Sequence, residues 1–166
     1  RKNSEKSLKE RIKELNGLYN LRKLTEQTKN LEELFYKFVR EIVPPSMQYP
    51  DKVFIVLEID KKKYSNFGEY ECNNFPCLSA PILVNNKQRG NLSVGYTENL
   101  PFIEEFERLL IEGYAERIGK VIERTEAEEE LKKYRTHLEK LVEQRSWELL
   151  GTNDRLRAEI SEHKRD

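Results

Sequence analysis

The stretch LSAPILVNNKQRGNLSVGY, residues 78–96, carries the clearest structural signal in the chain. Leu78, Ala80, Ile82 and Val84 alternate with other residues, and so do Leu92, Val94 and Tyr96. A period of two puts each set on one face of a strand. Asn85 to Gly90, between the two runs, has the composition of a hairpin loop. Upstream, Val53 to Leu57 is continuously apolar and rich in β-branched residues, as suits a central strand. Lys61, Lys62 and Lys63 follow Asp60 and read as a solvated turn. Between that turn and Leu78 lie Tyr64, Phe67, Tyr70 and Phe75 among Asn, Gly and Ser. This segment reads as an irregular loop with one short strand near Tyr64.

Helical patterns flank the sheet on both sides. Leu8, Ile12, Leu15 and Tyr19 recur at spacings of four, three and four, the seam of a short coiled coil. Leu18, Leu21 and Leu24 then widen the stripe, as if the helix passed onto a globular body. Asn30, with Glu33 three residues on, has the form of a capping box and opens a second helix. Leu31, Leu34, Phe35, Phe38, Val39 and Ile42 supply its buried face, and Pro44-Pro45 is expected to end it.

A third helical pattern starts near Asn99-Leu100-Pro101, where proline suits a first helical turn. Phe106, Leu109, Leu110, Tyr114, Ile118, Val121 and Ile122 form a stripe for packing on the sheet. Past Glu123 the stripe thins to a seam of Leu131, Tyr134, Leu138 and Leu141, with Arg145 where the next apolar residue is due. Leu149, Asn153, Leu156 and Ile160 continue it after an eight-residue step, so the heptad register slips around Ser146 to Gly151. Roughly 60 helical residues at ~1.5 Å each would reach on the order of 90 Å, so the leucines of this helix call for pairing with another copy. Asn153 at a seam position favours one register and a parallel orientation.

Composition agrees with exposed helix joined to a modest core. Of 166 residues, 36% are charged and 37% apolar, so the chain carries more charge than a fully globular domain of its size. Mean hydropathy is −0.83. Thirty basic and 30 acidic residues cancel, which argues against nucleic acid or a membrane surface as partner. No apolar run approaches the ~20 residues that span a bilayer. The chain begins at Arg1 with no signal-peptide pattern and reads as a segment of a longer, cytoplasmic protein.

Chemical constellations are sparse. There is no phosphate-binding loop and no dinucleotide glycine fingerprint. Two histidines and two cysteines do not make a usual zinc site. No nucleophile, base and oxyanion set emerges, so the chain is not read as an enzyme. The acidic run Glu126 to Glu130 reads as a solvated face, and Trp147 as an exposed amphipathic residue near the register slip. Cys72 and Cys77 are the one local feature with possible chemistry: accessible thiols in such a loop suit redox sensing or covalent attachment. The plainer account makes them two small hydrophobes at a strand start.

The order helix, short antiparallel sheet, helix resembles a GAF domain, the sensory module of histidine kinases and related regulators. YAERIGKVIERTEAEEEL, residues 114–131, resembles the exit helix of small GAF domains. Residues 78–96 resemble the preceding hairpin, with Gly90 where its second strand starts. LEKLVEQRSWELLGTNDRLRAEISEHKR, residues 138–165, resembles the connector helix between sensory domains, or between a sensor and a kinase. The resemblance covers about residues 8 to 165. It implies an α+β fold, GAF/PAS-like, with a small antiparallel sheet on helices and long signalling helices that form coiled coils. It implies a signalling helix over 1–26, a sensory domain over 27–125 and a connector over 126–166. The expected homodimer seam is Leu8, Ile12, Leu15, Leu131, Leu138, Leu141, Leu149, Asn153, Leu156 and Ile160. Some GAF domains hold haem or a bilin near a loop like that of Cys72 and Cys77, so these two are the candidate cofactor-binding residues; no cofactor is required, and no metal site is implied.

Departures from the family pattern narrow the expectation. Only about 47 residues separate the helical parts, which leaves room for a small pocket. No cyclic-nucleotide pattern is present. His137 lacks the Arg-Thr-Pro run of a phospho-accepting helix and, like His163, reads as an ordinary surface residue. A haem would lack an obvious histidine ligand in the domain body. Two functions follow: a sensory module of a two-component protein, passing a small-molecule or redox input through paired helices, or a ligand-free dimerisation and relay unit between other domains.

Overall fold

The computed structural model describes residues 2–66, 68, 76–101 and 104–165. It shows an α+β chain: helices α1 (Lys2–Gln27), α2 (Leu31–Lys37) and α3 (Val43–Ser46), strands β1 (Val53–Ile59), β2 (Lys62–Ser65), β3 (Cys77–Val84) and β4 (Lys87–Tyr96), then helix α4 (Glu104–Arg165). The strands form one antiparallel sheet in the order β2-β1-β4-β3. The chain divides into two compact units, 1–123 and 124–166, and α4 contributes to both.

The sheet comes from two tight hairpins. Asp60 and Lys61 join β1 to β2 with φ of 51° and 71°, and Asn85 and Asn86 join β3 to β4 with φ of 53° and 64°. Positive φ at both central residues is the turn whose twist matches paired strands; after glycine, Asn and Asp tolerate it best, and they supply three of the four positions, with Lys61 the fourth. Both loops are therefore shorter than their composition predicts. Lys62 and Lys63 are strand residues, paired with Ile59 and Glu58. Lys87 to Gly90 likewise begin β4 rather than extending the loop. Polar residues at the tip of a two-stranded hairpin stay in water, so composition alone cannot separate them from a turn.

One face of the sheet builds the core. Val53, Ile55, Leu57, Ile59, Leu78, Ala80, Ile82, Val84, Leu92, Val94 and Tyr96 are all buried against helices. From α4, Leu110, Tyr114, Ile118 and Ile122 join them. Phe106 and Val121 are half-buried, but Leu109 is exposed and does not belong to the packing stripe. Ile111 and Ala115 take buried places on that side instead. Gly119 brings α4 against the edge strand: a Cβ there would lie 2.3 Å from the Leu83 carbonyl oxygen.

Asn30 starts α2 by accepting a hydrogen bond from the Glu32 amide at 2.9 Å. The reciprocal half of a capping box is not used, since Glu33 pairs with Lys37 at 3.0 Å. Pro44-Pro45 does not end the helical path. Phe38–Ile42 widens into a π-helical turn, in which the Val43 amide bonds the Phe38 carbonyl, and the prolines follow inside the first turn of α3. A missing amide costs nothing at a helix's first turn. Helical structure stops at Ser46, whose hydroxyl donates to the Val43 carbonyl at 2.7 Å.

Candidate functional site

Two surfaces carry the residues singled out from sequence: the sheet face away from the core, and the exposed faces of α1 and α4.

Antiparallel register sets the first surface row by row. Phe54, Gly95 and Cys77 stand across from one another, then Val56, Ser93 and Ser79, then Glu58, Asn91 and Pro81. Phe54 is wholly buried although it points away from the main core. Gly95 allows this, because a Cβ there would sit 2.5 Å from the Phe54 ring and 2.9 Å from the Cys77 sulfur. The second and third rows carry the polar groups, beside Val56 and Pro81: the Ser79 and Ser93 hydroxyls lie 3.2 Å apart, and the Asn91 side-chain amide donates to Ser93 at 3.3 Å. The face thus grades from an aromatic–sulfur end to a hydrogen-bonding end.

Cys77 is disulfide-bonded. Cys72, like Phe67, Tyr70 and Phe75, lies outside the described residues. A bridged Cys77 has no thiolate to attach a ligand, so covalent attachment there requires reduction first.

Asn66 anchors the chain where it leaves β2. Its side-chain oxygen accepts from the Ile55 amide at 2.8 Å, and its side-chain nitrogen donates to the Val53 carbonyl at 2.9 Å. The side chain thereby continues the ladder that β2 makes with β1. Nothing in the sequence marked this residue. An Asn just past a strand is a signal only once the partner strand's free backbone groups are known.

The charged groups around the unit act locally. Arg89 grips Asp60 through two bonds, Nε to Oδ1 at 3.0 Å and a second guanidinium nitrogen to Oδ2 at 2.5 Å, and holds its carboxyl below the ordinary value. Lys62 pairs with Glu32, which raises the lysine. The Tyr96 hydroxyl donates to the buried Glu107 carboxylate at 2.5 Å, and burial followed by that bond pushes Tyr96 far up. The Tyr114 hydroxyl donates to Ser46 at 2.9 Å, and burial pushes Tyr114 up to about 12.

Open grooves lie on the surface of the described residues, two of them near residues already named. One of about 660 Å³ runs along α2 past Tyr36 and Arg40, whose guanidinium sits over the Tyr36 ring at 5.4 Å. The other, about 510 Å³, lies between α4 and the β3 edge and carries Glu112, Glu116 and Glu123. Among the described residues no group of three or more His, Cys, Asp or Glu could hold a metal ion. His137 and His163 are exposed residues of the unit 124–166. No helix of the described residues is long and apolar enough to cross a membrane.

No family model and no curated protein matches the chain.

The second surface is the set of seam residues. Leu8, Ile12 and Leu15 are 61%, 48% and 60% exposed. At 100° per residue they and Tyr19 centre on one line of α1. Glu10, Gly17, Leu21 and Leu24, the buried residues among those of α1 whose side chains are described, centre about 180° away. Gly17 marks the contact: a Cβ there would meet the Tyr114 hydroxyl. In the unit 124–166, Leu131, Leu138, Leu141, Leu149, Leu156 and Ile160 are all exposed, and so is Asn153.

Proposed function

We propose that the chain is a GAF-like sensory and relay module of a multidomain signalling protein, of the histidine-kinase kind, that works as a homodimer paired through α1 and α4 and has no enzymatic activity of its own. The observation that carries this reading is the double-faced α1. A helix with apolar residues on two opposite sides has two surfaces to bury, and its own fold covers one. The exposed leucines of α4 make the same demand over a longer span, and α4 is also the helix that closes the core. Input at the sheet therefore acts on a helix that extends into the pairing segment.

The input surface in this reading is the sheet face of Phe54, Cys77, Ser79 and Ser93. The disulfide at Cys77 gives it two chemical states, bridged and reduced. In a cytoplasmic setting thiols are held reduced, so the bridge forms as an oxidative signal. A small ligand at the Ser79–Ser93 end is the companion input.

The ligand-free relay is a second reading with its own support. Phe54, Gly95 and Cys77 pack so tightly that a single added carbon has no room, which closes that end of the face to a ligand. Native mass spectrometry of oxidised and reduced samples separates the two. A dimer with extra mass supports the sensor, and a bare dimer that is unchanged by reduction supports the relay. A monomer at high concentration overturns both.

A further inference from the structure

The register slip between Leu141 and Leu149 has two physical resolutions. If the helix breaks near Gly151, each half can seat its own seven-residue seam. If it does not, one stripe has to serve throughout. α4 is a single uninterrupted helix from Glu104 to Arg165. Across the slip, the Thr152 hydroxyl donates to the Glu148 carbonyl at 2.9 Å, the ordinary back-bond of a continuing helix.

An unbroken stripe exists if Val142 takes the place of Leu141. Leu131, Tyr134, Leu138, Val142, Arg145, Leu149, Asn153, Leu156 and Ile160 follow at spacings of three, four, four, three, four, four, three and four. This is an eleven-residue repeat: Leu131, Val142 and Asn153 are equivalent, as are Tyr134, Arg145 and Leu156, and Leu138, Leu149 and Ile160. At 100° per residue all nine fall within an arc of about 100°. Leu141 lies at the edge of that arc, and Trp147 on the far side of the helix. Eleven residues in three turns is ~3.67 per turn, so a pair built on this stripe winds gently to the right, whereas a heptad pair winds left.

The polar members choose the occupant. An antiparallel pair centred on the stripe sets Asn153 against Leu138, leaving a buried amide beside a leucine. A parallel, in-register pair sets Asn153 against its own copy, where two amides bond each other. In that pair Arg145 would face its counterpart, and its long methylene stem lets the charge reach out to water. We propose that residues 131–160 pair with the same segment of a second copy, parallel and in register, as an eleven-residue-repeat coil. The inference rests on the dimer in the reading above and not on its sensory role.

A benzophenone amino acid placed singly at each position from 138 to 149 of the full chain tests this. Maximal cross-linked dimer is expected at 138, 142, 145 and 149, with the cross-link from 138 landing on the peptide that contains 138. Yields at 141 and 148 above those at 142 and 149 overturn the repeat, while leaving the dimer standing. Links from 138 to the peptide containing 153 overturn the parallel pairing. A chain that stays monomeric and unlinked at every position overturns the dimer itself. Arg145→Leu is a second test: it should tighten dimerisation by roughly tenfold or more, about 1.4 kcal/mol per tenfold. Unchanged or weaker association overturns the assignment of position 145 to the stripe.

Discussion

Gly119→Ala and Gly113→Ala make the same chemical change, six residues apart on α4, in opposite surroundings. In an exposed helix interior, alanine stabilises over glycine by ~1 kcal/mol. At Gly113 the new Cβ meets only Leu18 Cδ2 at 3.7 Å, an ordinary contact, so the helix gain should appear nearly whole. At Gly119 it lies 2.3 Å from the Leu83 carbonyl oxygen and 3.3 Å from its carbon. Both belong to strand backbone, which cannot rotate away as a side chain can. Relief requires α4 to lift from β3 by ~1 Å, loosening Ile118 and Ile122 in the core, and overpacking of this kind costs ~1–3 kcal/mol. The helix term is common to both variants, so their difference isolates the steric cost. Urea unfolding followed by circular dichroism, at one fixed protein concentration, should show Gly119→Ala less stable than Gly113→Ala by that ~1–3 kcal/mol. With m of ~1–3 kcal/mol/M the midpoints separate by about 1 M. Equal midpoints would refute the seating of α4 on the β3 edge.

Three further outcomes are expected. Tyr114→Phe should cost about 1 kcal/mol at neutral pH through the lost bond to Ser46, measured by the same unfolding assay. Because the folded Tyr114 titrates near 12 and an unfolded tyrosine near 10, the hydroxyl favours the folded state below pH ~10 and that contribution is lost as pH rises toward ~12. The gap between wild type and Tyr114→Phe should therefore shrink or reverse above pH ~10. Asp60→Asn keeps a residue that tolerates positive φ but removes the charge facing Arg89; the pair is largely exposed, so the cost should stay below ~1 kcal/mol. Since Arg89 lowers the carboxyl, that difference should persist above pH ~4 and vanish as the pH falls through the folded value, as urea midpoints across acid pH will show. Asn66→Ala should cost ~1–3 kcal/mol and speed hydrogen exchange at the Ile55 amide, which it leaves without its partner; unchanged protection at Ile55 refutes the ladder extension.

The candidate site was only partly legible in advance. The apolar rows of α1 and α4 follow from spacing alone, but their exposure needed the packed structure. Cys77 was singled out by residue type, and its place beside Phe54 and Gly95 needed the strand register. Asn66 carried no signal, because its role depends on backbone groups of a strand that lies eleven and thirteen residues earlier. Leu109 was read as part of the stripe that packs on the sheet, yet only neighbours in space decide which side of α4 faces it.

Periodicity is a local property, and it determined much by itself. Alternation in residues 78–84 and 92–96 placed two strands, the β-branched run from Val53 placed a third, and three- and four-residue spacings placed the long helices. Turn length and helix continuity were decided by tertiary structure. The hairpins close in two residues because strand pairing continues through polar Lys62 and Lys87. The helical path passes Pro44-Pro45 because a π-helical turn delivers them to a position where no amide is required. On α1, spacing read Leu18, Leu21 and Leu24 as widening one stripe, whereas Leu21 and Leu24 lie opposite the exposed row of Leu8, Ile12 and Leu15. Packing chose the side where Gly17 lets Tyr114 approach, because burial is settled by the shape of what lies opposite and not by the hydrophobicity of the face itself.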